Sequence, residues 1–343
     1  MMGAQKKCQL PGGQRGAALL AAMLTVTLVA TFAATALWQQ FRAIEVETAE
    51  RGRLQAAWIL TGSLDWARLI LREDANTGGV DHLAEPWAVP LNEARLSSFL
   101  AVDASTSAAE PGRELDAFLS GQITDLQSRM NVINLIDGVG VSKTALVTFG
   151  RLFESLGLPA SQLTDFASQL LEASRGANPA ANPIGVPGAA PATPSAPTDS
   201  ATPLLAQRVD QLVWLGLPPA TLELLRPFIT LLPVRTEINL NTASAEVIHA
   251  ATPGMDMVDA QKLVSVRASS HFRLVGDAIR LVSNPDVQLA MAQHAVSSRY
   301  FEVRGLLRVE QTVVEERSVL QRDRLVVRTL WRDRGVARTP SAR

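Results

Sequence analysis

The first pattern along the chain is an unbroken apolar one. Gly16 to Phe41 carries no charged residue, and Ala17 to Trp38 is almost wholly Ala, Leu, Val, Met, Phe and Thr. A helix needs about 20 such residues to cross roughly 30 Å of hydrocarbon, so the pattern predicts a membrane span. Beyond it the pattern becomes one-sided. Ala57, Leu60, Leu64, Ala67 and Leu71 recur at alternating three- and four-residue steps, with Glu, Arg and Gln between them, the spacing of one helix face. One helix is therefore predicted from Ala17 to about Glu73, weakly interrupted at Gly52 and Gly62 and broken at Asn76-Thr77-Gly78-Gly79.

The middle of the chain is mixed. Asp81 to Ala88 reads as a structured turn, and 101–113 as a small, polar loop. Gly121 to Leu135 alternates well enough for a strand, and helical spacing follows at 142–157, 160–175 and about 204–230. Ala177 to Pro203 is rich in Ala, Pro, Ser, Thr and Gly, which predicts a disordered linker, since that composition builds no core. Near the end, Phe301, Val303, Leu307 and Val309 alternate with Glu302, Arg304, Arg308 and Glu310, a period-two strand. A less regular strand is predicted over 312–321, with a turn at Arg322-Asp323. Leu325, Val327, Thr329 and Trp331 then share one face of a third strand. The sum is an α+β fold: a long N-terminal helix packed on an antiparallel sheet, with a large α-helical domain inserted between strands. The expected boundaries are a leader at 1–16, a span at 17–41, an α/β part at 42–135, the insertion at 136–290 and C-terminal strands at 291–343.

Charge gives the span a direction. Lys6, Lys7 and Arg15 precede it and Glu45, Glu47 and Glu50 follow, which places the N-terminus in the cytoplasm. The formal net charge of the whole chain is −1, so no global field argues for a polyanion partner. The only cysteine is Cys8, which excludes a disulfide framework and a thiolate metal site from the rest. Two processing sites are open. Ala34-Thr35-Ala36 fits signal cleavage after Ala36, although the apolar run exceeds the 7–15 residues typical (about) of a signal core. Arg15-Gly16 offers the other, directly before the apolar run.

Catalysis has no visible constellation. The histidines at 82, 249, 271 and 294 lack metal-ligand spacing. Gly138 to Thr144 departs from a P-loop at Asp137 and Ser142 and reads as a loop entering a helix. Asp74, Asn76, Gly79 and Glu85 match the first, third, sixth and twelfth positions of a calcium-binding EF-hand loop, but Gly78 offers no ligand at the fifth and Asp81 stands at the eighth in place of an apolar residue; the calcium candidates are Asp74, Asn76, Asp81 and Glu85. The competing reading is an ordinary helix-ending loop. The sharpest motif is Glu237-Ile-Asn-Leu-Asn-Thr-Ala-Ser-Ala-Glu-Val247 followed by Thr252-Pro253-Gly254 and a second helix to Arg267. It resembles a helix–hairpin–helix, with Thr242 or Ser244 as N-cap and Glu246 in the first turn. In DNA-binding versions the hairpin brings bare backbone N–H groups to a phosphate. Here Asp256 replaces the second glycine and Asp259 is close, so no nucleic-acid-binding residue is predicted. A membrane-tethered DNA-binding protein, as in competence systems, is the alternative function.

Taken in order, several phrases resemble one family, the type II secretion minor pseudopilin K. They are the Arg15-Gly16 leader junction with Ala21 where other pilins carry glutamate, the Asp81–Ala88 phrase, Ile123-Thr-Asp to Asn131-Val-Ile-Asn-Leu135, the Asn239-Leu-Asn-Thr-Ala243 phrase and the late strands. The resemblance implies cleavage by prepilin peptidase after Gly16, leaving an N-methylated Ala17. It implies a non-enzymatic subunit at the tip of the periplasmic pseudopilus, initiating assembly and limiting length. The implied partners are other minor pseudopilins, the major pseudopilin and the inner-membrane secretion platform. The implied location is the bacterial inner membrane, single-pass, with the bulk periplasmic. No cofactor is implied except calcium. The family's acidic, Trp-containing phrase is replaced here by Asp165 to Glu172 without tryptophan, so its calcium is not carried over to that place.

Overall fold

The computed structural model describes residues 15–96, 117–138, 140–177, 203–285, 287, 289–309 and 312–336. Lys6, Lys7, the expected loop 101–113 and nearly all of the Pro/Ala-rich segment lie outside the described residues. The chain divides into two units, residues 1–59 and 60–343.

The first unit is helical. Helix α1 (Arg15–Thr77) is one continuous element, and Gly52 and Gly62 do not break it. Its apolar part reaches a mean hydropathy of 2.2 over 18 residues, none of them buried by protein. The four threonines in that stretch satisfy their own hydroxyls: Thr25, Thr27, Thr31 and Thr35 each donate to the carbonyl three residues earlier at 2.8–2.9 Å. Hydrocarbon offers no partner to a polar group, so internal satisfaction is what a lipid-facing helix requires. Just beyond, Glu47–Arg51 and Glu50–Arg53 form exposed pairs on successive turns.

The second unit is built on an antiparallel sheet of β1 (Leu91–Arg95), β2 (Ala117–Asp125), β3 (Tyr300–Val309), β4 (Thr312–Asp323) and β5 (Val326–Val336). The strands lie in sequence order: the three expected C-terminal strands are β3 to β5, joined by β1 and β2 from the part of the chain before the insertion. The last turns of α1 cover one sheet face. Leu64, Ala67 and Leu71, spaced for one stripe, bury against Ile123, Phe301, Val303, Leu320 and Trp87. Gly121 and Gly305 face each other across β2 and β3. A Cβ at Gly305 would come within 3.2 Å of the Leu60 side chain and 3.7 Å of Ser63 Oγ. The glycine therefore lets helix and sheet approach closely. Gly305→Val is expected to cost about 1–3 kcal/mol by overpacking, read as a lower urea midpoint; an unchanged midpoint rejects this contact as tight.

The opposite sheet face carries Tyr300 and Val319, covered by Leu126 and Leu232 with Trp331 against them. Two expectations for the last hairpin are corrected here. The register slips between Val319 and Leu320, so that Val319 pairs with Trp331 and Leu320 with Thr329. The skipped Leu330 is a bulge residue, and it turns Trp331 to the face opposite Thr329. The turn also falls later than expected. Strand β4 continues through Arg322 and Asp323, and Arg324, at φ 53°, makes the reversal.

Between β2 and β3 the chain builds a helical domain. It contains α2 (Lys143–Ser155), α3 (Ala160–Ala177), α4 (Pro219–Leu225), α5 (Ala245–Ala251), α6 (Met257–Ser269) and α7 (Val275–Ile279). A 3-10 helix at Val209–Leu215 takes part of the stretch expected as continuous helix to 230, where Gly216 and two prolines intervene. Ser142 N-caps α2, receiving the Ala145 N–H at 3.3 Å, so the P-loop-like segment is a helix entry. One core runs through the domain, including Leu135, Phe149, Leu152, Phe166, Leu212 and Ile248.

Candidate functional site at the joint between sheet and insertion

Where the insertion leaves β2 and returns to β3, the second unit holds a buried polar joint. The strand that ends β2 places Asp125 there, fully enclosed. Its Oδ1 accepts the Gln127 N–H at 2.7 Å, and Oδ2 accepts from Thr242 Oγ1 and Ser298 Oγ, both at 2.6 Å. Asn239 Nδ2 adds a longer donation at 3.1 Å. Burial pushes the Asp125 carboxyl up to about 6, against the pull of these donors.

The Asn-Leu-Asn-Thr-Ala phrase now has a physical account. Asn239 Nδ2 reaches Ser298 Oγ at 2.9 Å and the Asp81 carbonyl at 3.1 Å, while its Oδ1 takes the Asn241 N–H at 2.9 Å. Asn241 pairs with the Phe272 backbone in both directions, at 2.9 and 2.8 Å. Thr242 is spent on Asp125, which leaves Ser244 as the N-cap of α5. Leu240 and Ala243 between them point into the core. The Asn131-Val-Ile-Asn134 phrase works alike. Asn131 Nδ2 donates to the Val234 carbonyl at 2.7 Å and its Oδ1 receives Leu232 N–H at 3.1 Å. Asn134 exchanges two bonds with the Thr236 backbone, at 2.8 and 3.1 Å. Asparagine fits such places because it offers donor and acceptor on one short arm.

The loop after α1 joins the same network. Asp81 is buried, with Oδ2 on the Ser298 N–H at 2.6 Å and Oδ1 on Arg322. Arg322, at the end of β4, also reaches Asp74 Oδ2 at 2.7 Å, the Ser298 carbonyl at 2.9 Å and the Leu71 carbonyl at 3.4 Å. Its guanidinium lies 4.8 Å above the Phe301 ring. Burial raises both Asp74 and Asp81, with Arg322 opposing. Glu85 Oε2 accepts from His82 N–H at 2.8 Å and Trp87 Nε1 at 2.7 Å, which shapes the Asp81–Ala88 turn. His82 stacks on His271 of the insertion, with ring centroids 3.9 Å apart.

Of the four calcium candidates, Asp74, Asp81 and Glu85 come within 4.8 Å of one another. Asn76 does not join them: it is exposed, on a helix that continues to Thr77. The expected loop starting at Asp74 is therefore helical in its first four residues. Arg322 was not legible as a site residue, since it was expected in a turn. Its signal was a charge at the inward position where an alternating strand closes.

The hairpin motif is also built as expected in outline. Gly254, at φ 84°, turns the chain between α5 and α6. Asp256 caps α6 by receiving the Asp259 N–H at 2.7 Å, and Asp259 accepts from Ser283 N and Oγ at 2.8 and 2.7 Å. The helix end that would meet a phosphate is thus occupied by the chain's own carboxylates. This geometry weighs against the DNA-binding alternative.

Comparison with known proteins addresses the same regions. Two family models, both described as type II secretion system (T2SS), protein K, match residues 238–297 and 128–234. Together they span the insertion, and they include both asparagine phrases. The chain is 28% identical over 332 residues to the type II secretion system protein K of Pseudomonas aeruginosa, covering 93% of this chain and 89% of that one. It is 26% identical over 333 residues to protein K of Klebsiella pneumoniae, covering 90% and 93%. The chain belongs to the type II secretion system protein K family. Its fold is shared with a chain in the crystal structure of the GspK–GspI–GspJ complex from the type 2 secretion system of enterotoxigenic Escherichia coli. The TM-score is 0.57 at 18% identity, over 84% of this chain and 98% of that one. The joint is where the two protein K matches abut the sheet. For this family member, then, the matched phrases are the parts that fasten the insertion.

Proposed function

We propose that the chain is a minor pseudopilin that caps the periplasmic pseudopilus, initiating its assembly and limiting its length. In this reading it lies in the inner membrane with its N-terminus cytoplasmic, is cut by prepilin peptidase after Gly16, and joins other minor pseudopilins. It also meets the major pseudopilin and the secretion platform. One observation carries the reading: a pilin-like helix and sheet hold a large insertion between β2 and β3, in a fold shared with a chain solved in a GspK–GspI–GspJ complex. Such bulk suits a subunit with nothing stacked above it. Ala21 suits the same place. In a pilin filament the glutamate at that position is thought to neutralise the amine of the subunit ahead, and a tip subunit has none ahead.

N-terminal sequencing of the mature protein is expected to begin at methylated Ala17. Antibody labelling of sheared filaments is expected at one end only. A mature protein starting at Leu37 overturns the anchored reading, and label along the shaft overturns the tip.

A further inference from the structure

The family implies calcium, and the acidic cluster at the end of α1 is where this chain gathers carboxylates. Its residues do not fit a calcium ion. Calcium takes about 6–8 oxygen ligands at roughly 2.3–2.6 Å, and four of the six carboxylate oxygens here are committed elsewhere. Asp74 Oδ2 and Asp81 Oδ1 face Arg322, and so do the carbonyls of Leu71 and Ser298. Asp81 Oδ2 is held by the Ser298 N–H, and Glu85 Oε2 by His82 N–H and Trp87 Nε1. The Arg322 side chain is only 9% exposed, and Asp81 2%.

We propose that Arg322 is the resident cation of this cluster, so that the joint assembles without calcium. A guanidinium is planar and permanently charged, and its fork spans two carboxylates at once. Here it gathers the end of α1 through Leu71 and Asp74, the following loop through Asp81, and the start of β3's approach through Ser298. A bound ion would gather the same elements, but chelation or dilution removes an ion. Arg322 is part of strand β4 and cannot leave. Removing it alone would strand two buried carboxylates around an emptied space, the condition that invites a divalent ion.

The experiment compares full-length wild type, Arg322→Lys and Arg322→Ser in detergent, each melted in EDTA and in millimolar calcium. Tryptophan emission supplies a second readout, because Trp87 bonds to Glu85. Wild type is expected to melt at the same temperature in both conditions. Arg322→Ser is expected to melt several degrees lower in EDTA and to recover part of the loss in calcium, and Arg322→Lys to lie between with little calcium response. Should Arg322→Ser fail to fold in EDTA, folding in calcium supports the proposal and failure in both leaves the wild-type titration to decide. A calcium-raised melting temperature in wild type that Asp81→Asn abolishes overturns it. So does an Arg322→Ser protein whose calcium response equals that of wild type.

Discussion

Asn239→Ala is expected to lower the unfolding free energy of the second unit by about 3–4 kcal/mol, more than any surface change nearby. The side chain is fully buried and makes four polar contacts, to Asp125, Ser298, Asp81 and Asn241. Losing a neutral bond costs about 1 kcal/mol net, but a buried partner left unpaired costs about 1–3 kcal/mol, and more when it is charged. The Asn241 N–H and the Asp81 carbonyl are the partners so exposed, while the charged Asp125 keeps three of its four donors. Urea unfolding followed by tryptophan emission measures the loss. A change below about 1 kcal/mol, within the range of surface substitutions, would show that the joint relaxes around the gap. The protein should fail first at the joint, where the insertion meets the sheet, rather than within either core.

The second large effect is in pH. Asp125 sits at about 6 against an ordinary 3.8, so the folded state binds its proton more tightly. That stability is fully present below pH 3.8 and is lost as pH rises through 6. His294 is the reverse. Burial lowers it from 6.5 to about 4, with Thr252 Oγ1 on Nε2 at 2.9 Å and the Ala290 carbonyl on Nδ1 at 3.1 Å. Its stability is present above pH 6.5 and lost as pH falls through 4. Each shift corresponds to about 3 kcal/mol at 1.36 kcal/mol per pH unit, and the two oppose over nearly one window. Asp125→Asn should therefore lose stability on acidification from pH 7 to 4 relative to wild type. His294→Gln should gain it over the same range. Melting curves of the three proteins across that range test this, and parallel profiles would sink it.

The sequence carried the long helix and the late strands because their periodicities are local. Leu64, Ala67 and Leu71 needed no partner to declare a face, and neither did Phe301 and Val303. The order of the sheet was less legible, because β1 is short and irregular and β2 pairs with a strand far along the chain. The bulge at Leu330 was invisible for the same reason: a register slip belongs to a pair of strands, and alternation within one strand cannot show it. Asparagines 131, 134, 239 and 241 stood out as phrases, yet their work is tertiary, done on backbone about a hundred residues away in the first two cases. Arg322 was the clearest miss. A basic residue beside an aspartate reads as a turn until the carboxylates from α1 and its loop arrive around it.

The register of β2 on β3 has one more consequence. Asp125 pairs with Phe301, so the insertion leaves and re-enters the sheet at neighbouring strands, whose paired Cα atoms lie about 4.5–5.5 Å apart. To the sheet, the helical domain is one long hairpin loop. Closing a loop costs entropy that grows only with the logarithm of its length, about 0.6 kcal/mol per doubling. Residues can then be added to the insertion or taken from it at small cost to the strands. Lineages are free to remodel the insertion while the sheet and the helix turns packed on it keep their shape.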